Sequence, residues 1–68
     1  MQRQAIESSF IRAVGYEGGT LEIEFKDGKL FQYKGVPDCV FRELCEAKSA
    51  GEFFNKNILN AYEAEQIL

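Results

Sequence analysis

Residues 20–34, TLEIEFKDGKLFQYK, decide the fold of this chain. Apolar side chains alternate with polar ones on both sides of the central Lys-Asp-Gly, and this period of two is typical of strands with one buried face. The alternating apolar residues are Leu21, Ile23 and Phe25 before the loop and Phe31 and Tyr33 after it. The stretch therefore predicts two strands joined by a hairpin.

The length of the hairpin loop determines which residues share a face of the sheet. A two-residue turn would pair Phe25 with Leu30 and would leave Phe31 on the face opposite Ile23. A three-residue loop with Gly28 in the left-handed conformation pairs Ile23 with Phe31 instead. Because only this register keeps the apolar residues on one face, we predict the three-residue loop.

A third strand is expected upstream, over residues 10–16. It leads into a Gly-Gly pair, and a two-residue turn there places Tyr16 opposite Leu21. The three strands then form an antiparallel meander with one apolar inner face. That face is predicted to carry Val14, Tyr16, Leu21, Ile23, Phe25, Phe31 and Tyr33.

The second half of the chain has helical spacing. Pro37 ends the third strand and suits a first helical position, and apolar residues then recur every three or four positions as far as Ala47. Ser49 and Glu52 have the spacing of a capping box, which predicts a second, short helix. The fold class is therefore α+β, a three-stranded antiparallel meander followed by two short helices (β-β-β-α-α) packed on one sheet face. Residues 61–68 fit either a final turn or an extended arm.

Length and charge limit what the chain can be. Its 68 residues suit a single domain, residues 1–68 with a core at about 8–62, and its eleven acidic and eight basic residues give a net charge of −3. An acidic domain has no overall attraction to phosphate, so nucleic-acid binding would require a local basic patch.

The cysteines and the apolar runs indicate a compartment. Cys39 and Cys45 lie six residues apart in the predicted first helix, a rise of about 9 Å that places them on different faces, and we expect both to remain thiols. Unpaired thiols are typical of reducing compartments. No apolar run approaches the roughly 20 residues of a membrane span, and the charged N-terminal stretch does not resemble a signal peptide. We therefore expect a cytoplasmic protein with no membrane partner.

No group of residues predicts catalysis. The chain has no histidine, the commonest general base, and its cysteines lack the spacing of a zinc site. Glu22 and Glu24 are the best acid–base pair, since carboxylates about 7 Å apart on one strand face resemble an inverting glycosidase. Their position favours a solvated strand face instead. We expect a protein that is not an enzyme and has no cofactor and no metal.

The best candidate for a binding surface surrounds the second helix. Polar and aromatic side chains come together there, and one of Phe53 and Phe54 must pack inward. The candidate nucleic-acid-binding residues are Lys48, Asn55, Lys56, Phe53 and Tyr62. The alternative interpretation is a helix–helix contact beside a solvated lysine.

An ordered series of residues resembles the KTSC domain family. The series comprises Ser8-Ser9, Ile11, Gly15-Tyr16, Leu21-x-Ile23-x-Phe25, Gly28, Phe31-x-Tyr33, Val36-Pro37, Val40, Leu44, Ala47, Ser49-x-Gly51-x-Phe53-Phe54-Asn55, Ile58 and Tyr62. The family is named for the C-terminal extension of some lysyl-tRNA synthetases and also includes small bacterial and phage proteins. Its Tyr-x-Tyr motif reads Phe31-Gln32-Tyr33 here, and we expect these rings to belong to the core. Leu59 stands where many members have an arginine.

Two hypotheses about function remain. The resemblance implies a KTSC-type binding module whose partner is RNA, because of the synthetase context. The alternative is a protein-interaction module, either an adapter of phage or plasmid type or a homodimer. It would use exposed apolar residues, namely Phe10, Ile11, Leu59 and Leu68.

Overall fold

The computed structural model describes residues 3–6 and 8–68, which form an antiparallel sheet and two helices. The sheet has five strands in the order β1–β2–β3–β4–β5, and every neighbouring pair is antiparallel. The elements in chain order are β1 Arg3–Ala5, β2 Ile11–Glu17, β3 Thr20–Phe25, β4 Leu30–Lys34, α1 Asp38–Glu46, α2 Ala50–Asn57 and β5 Glu63–Gln66.

The hairpin between β3 and β4 has the predicted register. Ile23 lies opposite Phe31, and the left-handed conformation of Gly28 has φ +94°. The loop is closed by the Phe25 N–H, which donates to the Lys29 carbonyl at 2.9 Å. The pairing of Tyr16 with Leu21 across β2 and β3 is also confirmed.

The predicted number of strands was too small, because the structure adds β1 and β5 at the two edges of the sheet. β1 has only three residues, which is too short for an alternating pattern to be visible. β5 reads Glu-Ala-Glu-Gln, and all four residues are exposed. These residue types have low strand propensity, so pairing with β4, and not local preference, makes the segment a strand. Residues 61–68 were expected to form either a final turn or an extended arm, and residues 63–66 are extended.

Both helices lie on one face of the sheet, as predicted, and the core lies between them and the strands. The fully buried side chains come from both layers: Ile11, Val14, Leu21, Ile23, Val36, Leu44, Phe54 and Ile58. Tyr16, Phe25 and Phe31 are half-buried at the border of this core. No helix in the described part of the chain is long and apolar enough to span a membrane.

The helix ends follow the predicted signals closely. α1 begins at Asp38, one residue later than expected, with Pro37 as its extended N-cap. Ser49 caps α2, and its Oγ accepts a hydrogen bond from the Glu52 N–H at 3.3 Å. This bond satisfies one of the backbone donors that the first turn of a helix leaves without a partner.

Candidate functional site

The α2 surface carries the candidate binding residues at different depths. Phe54 is buried in the core, whereas Phe53 is half-buried. Asn55 and Lys56 are exposed on the outer side of the helix. Tyr62, in the link to β5, is half-buried and packs against the core. The candidate residues therefore combine exposed polar side chains with two half-buried rings.

The two lysines of this surface lie at opposite ends of α2. Lys48 comes just before the cap, and Lys56 lies in the last turn. Lys48 lies two residues before the helix begins, and the helical segment from Ala50 to Lys56 alone rises by about 9 Å. Glu52 is four residues before Lys56 and so shares its side of the helix. The positive charge is thus spread along α2 and does not form a single cluster.

Lys48 and Lys56 differ from several other cations because they are unpaired. Within the described part of the chain, both are exposed and neither forms an ion pair. Three other cations do form ion pairs with carboxylates, namely Lys29 with Asp27, Lys34 with Glu65, and Arg42 with Asp38. The positive charges at the ends of α2 are therefore available to an external anion.

Phe10 packs directly against the beginning of α2. A methyl group added at Gly51 would lie 2.6 Å from Cε1 of this ring and 3.2 Å from the Oγ of Ser8. Only a residue without a side chain permits such an approach. The glycine in the family's Ser-x-Gly-x-Phe-Phe run thus allows Phe10, just before β2, to pack closely against the helix.

An open cleft of ≈ 400 Å³ lies on the other side of Phe10 and is lined by Ser9, Phe10, Phe25, Lys26 and Asp27. The Phe10 and Phe25 rings stack with centroids 6.2 Å apart and planes at 14°. The cleft was missed at the sequence level because Phe25 was assigned wholly to the core. The end of β3 lies beside the start of β2, and the bulge described below, which the sequence did not predict, sets this part of the pairing.

The two aromatic residues of the family motif belong to the core, as expected. Tyr33 is buried, and its ring meets Phe54 edge-on with centroids 5.4 Å apart. Phe31 is half-buried and contacts Phe25 in the same way at 5.7 Å. Burial raises the pKa of the Tyr33 hydroxyl, because the charged form is poorly solvated there. These rings support the helices and do not form an open stacking platform.

The expectation that Glu22 is solvated was wrong, because the side chain is only 6% exposed. It lies on the sheet face away from the helices, opposite Gln32. The Gln32 amide donates to its Oε1 at 3.2 Å. Glu24 is half-buried on the same face. Side chains of neighbouring strands therefore cover this carboxylate, although no helix packs on it.

Two of the four apolar residues expected at the surface are not exposed. Ile11 is fully buried, and Phe10 is half-buried between Phe25 and Phe54. A bulge between Ile11 and Ala13 is the reason, since the extra residue places Ile11 on the inner face. Leu59 and Leu68 are exposed as predicted, and Ile67 joins them.

The described residues contain no group of three or more side chains that could hold a metal ion. Cys39 is exposed and Cys45 half-buried, and both are thiols. Burial is the main cause that raises the pKa of the Cys45 thiol, and Glu46 adds to it. A raised pKa lowers the thiolate fraction and therefore the reactivity of this cysteine.

Comparison with known proteins gives this geometry a family. The family model described as the KTSC domain matches residues 7–62. The chain belongs to the KTSC domain family. A crystal structure of a KTSC domain protein from Yersinia pestis superposes with a TM-score of 0.91 at 36% identity, over 98% of this chain and 97% of that one.

Two relatives show the contexts in which KTSC sequences occur. An uncharacterized protein of Stutzerimonas stutzeri is 45% identical over 58 residues, which is 82% of each chain. A lysine–tRNA ligase of Nostoc is 41% identical over 63 residues, which is 90% of this chain but only 11% of the ligase. KTSC sequences thus occur both in small proteins and as a small part of a much larger enzyme.

Proposed function

We propose that this KTSC domain is a small non-enzymatic module that binds RNA through the α2 surface. In this proposal Lys48 and Lys56 contact phosphates, and Asn55 donates and accepts hydrogen bonds. Phe53 and Tyr62 offer partly exposed rings to unstacked bases, a mode that single-stranded RNA permits.

The observation that carries the proposal is the state of the lysines at the two ends of α2. Both are exposed and unpaired within the described part of the chain, while Lys29, Lys34 and Arg42 are neutralised by neighbouring carboxylates. An unpaired lysine can exchange its counterions for a phosphate without first breaking an ion pair. Phe53 lies on the same helix as Lys56, and aromatic rings together with cations are the combination that single-strand-binding proteins use.

The relatives add support of a different kind. A domain present in a lysine–tRNA ligase shares a chain with an enzyme that by its name acts on tRNA. A small module in that position is well placed to add phosphate contacts. This argument from context is separate from the geometry of α2.

The opposite sheet face is unsuited to RNA. The strand registers place five carboxylates there, those of Glu17, Glu22, Glu24, Glu63 and Glu65. Such a face repels a polyanion. RNA is therefore expected to approach from the helical side.

The proposal is tested by fluorescence anisotropy with a labelled single-stranded RNA and with tRNA at low salt. We expect a Kd of about 1–100 µM, as for binding dominated by phosphate contacts. Lys48→Glu with Lys56→Glu should abolish the binding and leave the fold intact, because both side chains are exposed.

The matched control is Lys29→Glu with Arg42→Glu, which changes the net charge equally but alters cations that are already paired. It should retain most of the affinity. Absence of binding by the unaltered chain would refute the proposal, and an equal loss in both double variants would refute the assignment to α2.

The second candidate function is protein interaction, by a phage- or plasmid-type adapter or by a homodimer. Leu59 and Leu68 favour it, because both are large, apolar and exposed. Under this alternative the lysine changes have no effect. Leu59→Asp would instead disrupt an association that salt barely affects.

A further inference from the structure

Strand β5 forms an open edge of the sheet. It pairs with β4 on one side, and none of the described residues pairs with its other side. The Ile67 N–H donates to the Leu30 carbonyl at 2.7 Å. Because backbone direction alternates along a strand, the N–H and C=O groups of Ala64 and Gln66 then point away from β4. These outward groups can accept a further strand.

The side chains of this edge carry an excess of negative charge. Glu63 and Glu65 lie on the face away from the helices, opposite Lys34 and Gln32 respectively. Lys34 Nζ is 3.3 Å from Glu65, so a single lysine on β4 neighbours two carboxylates. A shallow depression of ≈ 220 Å³ is lined by Lys34, Glu63, Ala64 and Glu65.

The same edge ends in exposed apolar side chains. Ile67 is 43% and Leu68 72% exposed, directly after β5. Alternation places Ile67 on the same face as Glu63 and Glu65. From Ile67 back to Glu63, the face of β5 away from the helices therefore presents one apolar and two acidic side chains at alternate positions.

We propose that the β5 edge binds an extended segment of another protein by strand addition, and that this segment carries lysine or arginine at two alternate positions. When the segment pairs antiparallel to β5, its sequence reads apolar, any residue, basic, any residue, basic. The apolar side chain then lies opposite Ile67, and the two basic side chains lie opposite Glu65 and Glu63. Backbone hydrogen bonds supply affinity in strand addition, and alternate side chains supply specificity. The inference is independent of RNA binding, which concerns α2.

A second copy of the chain fits this edge poorly. Residues that face each other across antiparallel strands lie on the same side of the sheet. A two-fold pairing centred on Ala64 therefore places Glu63 opposite Glu65, and a pairing centred on Glu65 places that residue opposite itself. Like charges directly opposed destabilise a strand pair. A pairing centred on Gln66 avoids this repulsion but sets the Glu65 carboxylate against the apolar Ile67. A basic strand relieves this repulsion, and that charge complementarity selects the occupant.

The test uses a labelled peptide, acetyl-Thr-Ile-Thr-Lys-Thr-Lys-Thr-amide, titrated to millimolar concentration into the ¹⁵N-labelled protein. The control peptide has glutamate in place of both lysines. We expect chemical-shift changes confined to β4 and β5, and slowed amide exchange at Ala64 and Gln66, with the lysine peptide alone.

Two variants check the geometry. Ala64→Pro removes an outward N–H and should abolish binding, while its spectrum elsewhere shows that the fold persists. Glu63→Lys with Glu65→Lys should weaken binding of the lysine peptide by roughly tenfold and favour the glutamate peptide. The proposal is overturned by absence of shifts at β5, by equal binding of both peptides, or by a concentration-dependent dimer paired through β5.

Discussion

Gly51 shows how a single residue connects the sheet to the second helix. The ring of Phe10 occupies the space where a side chain at position 51 would lie, and it also contacts Phe25 and Phe54. A shift of the ring away from position 51 alters its contacts with Phe25 and Phe54, even though Phe10 also borders the open cleft. The glycine is therefore needed for packing between elements, and the backbone conformation of α2 does not itself require it.

Gly51→Ala should accordingly destabilise the protein by about 1–2 kcal/mol, because overpacking outweighs the better helix propensity of alanine. In a Phe10→Ala background the same change should cost at least about 1 kcal/mol less, since the opposing ring is absent. Urea unfolding of the four proteins of this double-mutant cycle measures the difference. Additive effects would mean that the Phe10 ring and the methyl group introduced at position 51 do not compete for the same space.

Tyr33 makes stability dependent on alkaline pH. Burial raises the pKa of its hydroxyl in the folded state above the ordinary value of 10.0. The unfolded chain then loses this proton at a lower pH than the folded chain does. The contribution of Tyr33 to the free energy of unfolding is fully present below pH ~10 and decreases as the pH rises through the folded pKa.

Stability measured from pH 8 to 11 should therefore fall less steeply in Tyr33→Phe than in the unaltered protein. The comparison is needed because lysine and tyrosine side chains in general ionise at alkaline pH. Tyr62→Phe is the matched control, since it removes another tyrosine hydroxyl from a half-buried position. Parallel curves for Tyr33→Phe and the unaltered chain would contradict this account.

At the scale of elements, the sequence predicts those parts whose local pattern agrees with their environment. Apolar and polar residues alternate along β2, β3 and β4 because helices cover one face of the sheet. Ser49 marks the start of α2 because its side chain accepts a hydrogen bond from the first turn. β5 has no such pattern, since all its residues are exposed. The bulge at Ile11 was likewise invisible, because it arises from pairing with β3.

The same reasoning explains what could be predicted of the candidate site. Lys48, Asn55 and Lys56 could be found because they follow directly from the position of α2. The cleft beside Phe10 and the edge of β5 could not, since the first depends on the bulge in β2 and the second on a strand that the sequence did not predict. Local sequence patterns thus predict residues on one element better than surfaces shared by several.

α1 is held to the sheet chiefly by Leu44, its one fully buried side chain. Leu44→Ala should destabilise the domain by roughly 2–5 kcal/mol, as is typical of large-to-small core changes. In a domain of this size such a loss can unfold a large fraction of the molecules. Glu43→Ala, at the exposed neighbouring position, serves as the control in thermal unfolding. A melting temperature within a few degrees of the unaltered protein would contradict the packing.

At the scale of the whole molecule, the arrangement of charge separates two surfaces. The sheet face away from the helices is rich in carboxylates, whereas two unpaired lysines, Lys48 and Lys56, lie at the two ends of α2. With a net charge of −3 the chain has no overall electrostatic attraction to nucleic acid. The proposed RNA binding must therefore depend on a few local contacts on one side of the molecule.

The most direct measurement is the salt dependence of affinity for a single-stranded RNA. Each phosphate contacted on a single strand contributes about −0.7 to the slope of log K against log salt concentration, so two contacts predict about −1.4. The unaltered protein should give this slope, and Lys48→Glu with Lys56→Glu should show no measurable binding at the same low salt. A slope near zero, or the same slope and affinity in the double variant, would contradict RNA binding through the α2 surface.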